Sequence, residues 1–568
     1  MRAAALAALL CSLPFTPTPL AQTPTTTPSF PYDVARAHEI KPHRRTIPLQ
    51  GVHSGFSQLT INLLVSPGGE VLDAKASGSP DVLKFWPQLQ AEVDQWKFTP
   101  FEIDGKPVTA RIEEYIDLVP PERLPKSHIP APALTQTSDI TITLRRSGCL
   151  GSCPAYILTV TTKSLSFEGQ YYVVALGNHT AAIDPDAVRA LTKKFIAADF
   201  YSMDNNYVAG VTDCPTYQLT LSIDGHSKQL TDYVGEWVGM PQVITELEED
   251  VDTLANSDRW IKGTDGLVPA LQAEHFNFQT YDAQVILKSA SANAEVATVQ
   301  QLLAAGVPLT PFRAPKPANA YSIPPFSNVG WLTAASESPE VLQMFIDARA
   351  SVTDQSDKDA ALSSAARSGK VAAARALIAY GANPNADLSK LLVSTSSAGF
   401  QFQGPNSGSI LLNAASSGKP DMVREILKYH PNLETRDVEG KTAIFIARNY
   451  LYTEADGARA ECVRLLANAG ANVNARDRYG NTPLHETFLT DVQEELLKRG
   501  ADVNARNNNG ETPIFTTEDP DAIPLFIKYG ADLTLRNNKG QTIFEASSTK
   551  GPVWQAALRA ATQQQSSR

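Results

Sequence analysis

The sequence predicts a multidomain chain in which two small α+β modules precede an all-α repeat solenoid. Three observations predict it. The 568 residues far exceed the roughly 150 of one ordinary domain. Two Pro-rich tracts, 16–31 and 120–132, cannot bury a core and divide regions of different hydrophobic pattern. After Trp260 the texture turns Ala-rich and helical, with Gly-Ala recurring at regular intervals. Composition agrees, since 43% hydrophobic and 19% charged residues suit a folded chain. The 49 basic residues fall short of the 60 acidic ones, for a net charge of −11. That balance lacks the basic footprint of a nucleic-acid binder and excludes DNA and RNA as leading partners.

Residues 1–21 read as a secretory signal peptide: Met1-Arg2 precedes an apolar run over 3–10, and small residues surround Ala21. The run is far shorter than the ~20 residues needed to span a bilayer, and no later segment reaches that length, so no transmembrane segment is expected. Cys11 follows Leu9-Leu10, where lipid attachment wants a small residue. The expected location is periplasmic or secreted. A Thr/Pro-rich linker follows over 22–40.

The first module, 41–119, reads strand, strand, helix, strand. Strands over 59–65 and 71–76 flank the turn Pro67-Gly68-Gly69. Leu83, Trp86, Leu89, Val93 and Trp96 recur at three- and four-residue steps and predict one helix. After Asp104-Gly105, alternation from Val108 to Leu118 predicts a closing strand. Gly69-Glu70-Val71, Ser77-Gly78, Trp96-Lys97-Phe98-Thr99-Pro100 and Asp104-Gly105-Lys106-Pro107-Val108 resemble the C-terminal domain of TonB, the energy transducer of Gram-negative envelopes. The resemblance covers about eighty residues and implies a strand edge offered to an extended partner peptide. The transducers carry this domain at the C-terminus behind a membrane anchor, whereas here it lies near the N-terminus.

Beyond a Pro-rich linker over 120–136, the second α+β module spans 137–262. Ile140, Ile142 and Leu144 form a strand; Asp184 and Pro185 open a helix buried through Val188, Leu191 and Phe195. Two strands flank Asp224-Gly225, and a helix over 241–254 presents Val243, Ile244, Leu247, Val251 and Leu254. Cys149-Leu150-Gly151-Ser152-Cys153-Pro154-Ala155-Tyr156, with Thr212-Asp213-Cys214-Pro215-Thr216 downstream, resembles a bacterial envelope domain family of unknown function, which implies no activity.

Removal of the signal peptide leaves Cys149, Cys153, Cys214 and Cys462. Cys462 occupies a core position of the repeats and reads as a buried thiol. The other three are disulfide candidates: a local Cys149–Cys153 bridge, a bridge to Cys214, and reduced thiols all stand open. A redox site would need an activated thiolate, usually at a helix N-terminus. No His stands at metal-ligand spacing to these cysteines, and no Ser/His/Asp block or phosphate-cradling glycine loop occurs, so no catalytic residue, cofactor or metal is assigned. Asp213 and Asp232 read as turn caps rather than an acid/base pair.

In the last half, Thr442-Ala443-Ile444-Phe445, Thr482-Pro483-Leu484-His485, Thr512-Pro513-Ile514-Phe515 and Thr542-Ile543-Phe544-Glu545 alternate with Gly470-Ala471-Asn472, Gly500-Ala501-Asp502 and Gly530-Ala531-Asp532. These segments resemble ankyrin repeats, about eight over 283–561, with loop insertions at 308–328 and 386–408. The resemblance implies paired helices stacked on neighbours and finger-like turns that begin at Asp437, Asp477, Asn507 and Asn537. Thr482 to Thr512 and Thr512 to Thr542 are each 30 residues, three below the usual ~33, which predicts a shortened helical back.

The expected function is that of an exported envelope scaffold without catalysis, holding a protein partner, and on its basic fingertips an acidic one. Phe400 and Phe402 in an insertion, with Arg478, Tyr479, Arg506, Asn508 and Arg536 on fingers, are the candidate partner-binding residues. The alternatives are a redox or hydrolytic enzyme sited at Cys149, Cys153 and Cys214, and a TonB-like adaptor for outer-membrane receptor peptides.

Overall fold

A computed structural model describes residues 29–30, 38, 40, 46–49, 52, 57–103, 106–310, 330–350, 353–388, 408–447, 457–487, 489–547 and 550–566. The chain is multidomain, β-rich in its N-terminal half and helical in its C-terminal half. Residues 1–21, expected to be a signal peptide, and Phe400 and Phe402 lie outside the described residues.

The first module is a five-stranded sheet ordered β1 (Ser29–Phe30), β7 (Ala110–Val119), β3 (Ser57–Val65), β4 (Val71–Ser77), with β2 (Thr46–Pro48) also on β7. β5 (Phe101–Ile103) and β6 (Lys106–Val108) form a separate hairpin before β7. Alternation in β7 places Ala110, Ile112, Ile116 and Leu118 in a core with Leu59, Ile61, Leu63, Trp96 and Phe98. The single helix expected over this stretch is two pieces, Pro80–Leu83 and α1 (Trp86–Val93). Pro87 explains the break: it lacks an amide hydrogen and fits only a first helical turn, so α1 must begin there.

The second module is a seven-stranded sheet ordered β11 (Gly177–Ala181), β10 (Leu165–Tyr171), β9 (Ala155–Thr161), β8 (Ile140–Arg146), β13 (Tyr217–Ile223), β14 (His226–Tyr233), β12 (Asn206–Val208). α2 (Pro185–Ala197) and α3 (Gln242–Ala255) pack on the face formed by Ile142, Leu144, Leu158, Leu219 and Leu221. Asp184 caps α2 by accepting the Asp186 amide at 2.9 Å. The Pro-rich tract after β7 does not hang free as a spacer. It lies along this module, where the Arg123 amide donates to the Gly239 carbonyl at 2.6 Å and the Ile129 amide to Ser202 Oγ at 2.7 Å.

The helical half is not a separate bead. α4 (Asp258–Ile261) and α5 (Leu267–Ala273) fill the span between the second module and α6 (Tyr281–Ala292), and one hydrophobic core runs from Ile140 through Trp260 and Leu271 to Leu558. Trp260 stacks on Phe167 with centroids 5.1 Å apart, and its carbonyl and that of Ile261 accept the Ala175 and Val174 amides at 2.9 and 3.1 Å. Glu274, just past α5, accepts the Thr180 amide at 2.7 Å and pairs with buried His179 at 3.1 Å. A solenoid end must cover apolar surface that no further repeat buries; here the second module covers it.

First helices of the repeats vary in length: Gln355–Arg367 is long, whereas Trp331–Ala334, Ala443–Ile446, Pro483–Glu486 and Pro513–Thr516 are single turns. Cys462 is fully buried in the array core.

Candidate functional site

Each finger grows from one acceptor. Asp437 Oδ1 takes the Glu439 and Lys441 amides at 2.8 and 2.9 Å, and Asp477 Oδ1 takes those of Tyr479 and Asn481 at the same distances. Asn507 and Asn537 repeat the arrangement, which an Asx side chain makes by mimicking a backbone turn. Fingers then zip together through Arg478, Asn508 and Asn538 amides donating to the carbonyls of Glu439, Tyr479 and Asn509 at 3.0, 3.0 and 2.8 Å.

The candidate side chains divide at this point. Arg506 Nη2 donates to the Arg536 carbonyl at 2.6 Å, Arg536 pairs with Glu545 at 3.0 Å, and Asn508 Nδ2 reaches the Arg478 carbonyl at 3.2 Å. Arg536 bonds within its own repeat, to the Gly540 carbonyl and Glu545, whereas Arg506 and Asn508 brace neighbouring fingers, each reaching a backbone carbonyl of the adjacent repeat. Arg478 and Tyr479 stand outward instead: the guanidinium lies 4.7 Å from the Tyr479 ring centroid, donates to its hydroxyl at 2.6 Å and faces Glu439 at 3.4 Å. Tyr479 is 51% exposed, and Val438 on the preceding finger 65%. Sequence reasoning passed over Val438, although an apolar residue in an Asx turn was the available signal.

Residues 382–477 and 411–507 match the family model of Ankyrin repeats (3 copies). Residues 140–255 match a domain of unknown function (DUF6438). A comparison with curated proteins finds none that matches the chain.

The ankyrin array ties consecutive repeats through His485, buried behind Thr482. Its Nδ1 accepts the Thr482 amide at 3.1 Å, so Nε2 carries the hydrogen and donates to the Glu511 carbonyl at 3.0 Å. Burial holds this imidazole below its usual range. Its neutral form is the folded form, so its contribution is full above about pH 6.5 and is lost as pH falls below that value. Thermal unfolding across that window should show the array weakening in acid, and a His485→Asn variant should flatten the dependence.

In the DUF6438-matching module a polar row crosses one end of the sheet. Tyr156 pairs with Arg146 in register, Arg146 with Tyr217, and Tyr217 with Asp232. Cross-strand partners share a face, and α3 lays Glu248 and Asp252 over this one. Tyr156 Oη donates to Asp252 at 2.7 Å, Ser257 Oγ donates to Asp252 at 2.6 Å, and the Gly235 amide donates to Asp232 at 2.6 Å. Asp232 is thus a turn acceptor, as expected, but a buried one, and burial with Glu236 nearby pushes it up to about 6. Glu248 is 5% exposed, and its Oε1 has no hydrogen-bond partner among the described residues. Burial, then the charges of Asp232, Asp252 and Glu236, push it up to about 9. The sequence reading missed Glu248, yet it stands four residues from Ile244 and three from Val251, an acid on the apolar stripe of α3.

The same sheet end carries the cysteine loops. Cys149 and Cys153 form a disulfide within the loop between β8 and β9, and Cys214 is an unbridged thiol in the loop entering β13. Among the described residues no group of His, Cys, Asp and Glu could hold a metal ion, and no helix is long and apolar enough to cross a membrane.

In the first module, β7 carries the chain's own β1 and β2 in parallel register, Ser29 beside Arg111 and Thr46 beside Asp117. A partner strand at that edge would have to displace them. The outer edge of β4 pairs with no other strand among the described residues.

Proposed function

We propose that this chain is an exported binding protein of the bacterial envelope that holds a protein partner on its ankyrin fingers and performs no catalysis of its own. Ankyrin repeats imply a protein partner. The observation that carries the finer reading is the patch of Val438, Arg478 and Tyr479. These side chains stay exposed on fingers whose backbones are locked to one another, so binding would cost little ordering. Tyr and Arg are also the residue types that dominate interface hot spots. The Arg478 guanidinium, with Lys539 on a later fingertip, favours a partner with an acidic surface.

The full chain, used as bait against an envelope fraction, should lose its partner on Tyr479→Ala or Arg478→Glu while its unfolding free energy moves by no more than about 0.5 kcal/mol, the ordinary range for surface changes. Equal capture by wild type and both variants would remove the finger patch from the interface.

A further inference from the structure

Strands β8 and β13 are antiparallel neighbours, paired from Ile140 beside Ile223 to Arg146 beside Tyr217. The pairing continues past the last formal partners, since the Ser147 amide donates to the Thr216 carbonyl at 2.9 Å and the Thr216 amide to Ser147 Oγ at 2.9 Å. Extending that register two steps beyond its last bonded pair sets Cys149 against Cys214. Antiparallel neighbours have Cα atoms about 4.5–5.5 Å apart, within the ~4.4–6.8 Å that a disulfide spans. The Cys214 amide donates to Tyr233 Oη at 3.3 Å, anchoring its loop to β14. Cys149, Cys153 and Cys214 are all partly exposed, so solvent can take and return protons. The remaining described cysteine, Cys462, lies buried in the array.

We propose that Cys214 and the Cys149–Cys153 disulfide form an intramolecular thiol–disulfide exchange site. Cys214 loses its proton to solvent and the thiolate attacks Cys149 Sγ. The Cys149–Cys214 bond forms as the Cys149–Cys153 bond breaks, and Cys153 leaves as a thiolate that takes a proton from solvent. One S–S bond replaces another and no net oxidant or reductant is consumed. The bridge moves from within one loop to a cross-link between two, and the outward-facing thiol changes from Cys214 to Cys153. The site is independent of the finger patch, so its test does not bear on partner binding.

The test maps disulfides in the full chain after incubation in a glutathione redox buffer at neutral to mildly alkaline pH, with acid quenching and alkylation of thiols under denaturing conditions. Wild type should yield a Cys149–Cys214 linked peptide together with labelled Cys153, at a rate that grows with pH, and the link should be absent in Cys214→Ser. The Cys153→Ser variant should show loss of Cys214 labelling as Cys149–Cys214 forms. Wild type that retains only Cys149–Cys153 at every pH overturns the proposal. So does a Cys153–Cys214 link in place of Cys149–Cys214, because the register assigns the attack to Cys149. If Cys153→Ser keeps a native circular-dichroism spectrum with both remaining thiols labelled, the proposal also fails; if it does not fold, the wild-type map decides.

Discussion

Replacing Trp260 by alanine should lower the unfolding free energy by about 3–5 kcal/mol, the range for truncating a buried aromatic. The indole is fully buried where the second module meets the array, stacked on Phe167 with Arg259 3.9 Å above it. Its removal leaves a cavity between β10 and α4 and loosens the backbone that receives the Val174 and Ala175 amides. Because one core continues across this joint, the loss should appear in both halves: Tyr-rich near-UV signals of the sheet and far-UV helicity of the array should shift together in urea titrations. Trp260→Phe should cost much less, since it keeps most of the ring and removes an indole N–H that has no hydrogen-bond partner among the described residues. Two separated transitions in wild type, with only one moved by the alanine variant, would show the joint to be energetically silent.

Stability of the second module should fall as pH rises from about 5 towards 9, and Glu248→Gln should remove much of that slope. In the folded chain Glu248 holds its proton up to about 9, because burial and the neighbouring Asp232, Asp252 and Glu236 oppose its charge. In the unfolded chain it ionises near pH 4.3. Between those values the folded state binds a proton that the unfolded state has released, so each pH unit removes up to about 1.4 kcal/mol of stability. Above the folded value both states are ionised and the loss levels off. Arg146, Tyr156 and Tyr217 face the same cluster from the sheet and Glu249 from the helix, so the slope reports the group rather than one residue. Urea midpoints at a series of pH values check it. Equal slopes for wild type and Glu248→Gln would mean that Glu248 is already ionised in the fold.

Much of this architecture is legible in the sequence because local rules dominate it. Alternation in β7 and β8, the Asp184-Pro185 helix start and the Asx-to-Gly fingers each depend on a few neighbouring residues and appear as expected. The 30-residue spacing does not by itself account for the four-residue first helices at Pro483–Glu486 and Pro513–Thr516, since Ala443–Ile446 is as short although Thr442 and Thr482 lie 40 residues apart. The break before α1 was also present in the sequence as Pro87, but the apolar stripe across it argued for one helix, and a proline's missing hydrogen outweighs periodicity.

The candidate sites divide along the same line. Residue type alone marked Arg478, Tyr479, Arg506, Asn508 and Arg536 as one fingertip group, and only the tertiary structure separates the outward pair from Arg506 and Asn508, which brace neighbouring fingers, and from Arg536, which bonds within its own repeat. Likewise the three cysteines were candidates without a pairing. Chain order places Cys214 far from Cys149, and only the β8–β13 register, extended past Arg146 and Tyr217, directs their loops towards each other. The amino-acid order by itself determined most of the elements and the turns, since these follow from backbone sterics and short-range hydrogen bonds. Tertiary structure alone decided that the second module caps the array through Trp260, that Glu248 is buried among acids and that Cys214 remains outside the disulfide. Each of these depends on contacts between residues distant in the chain, whose energies no local pattern encodes.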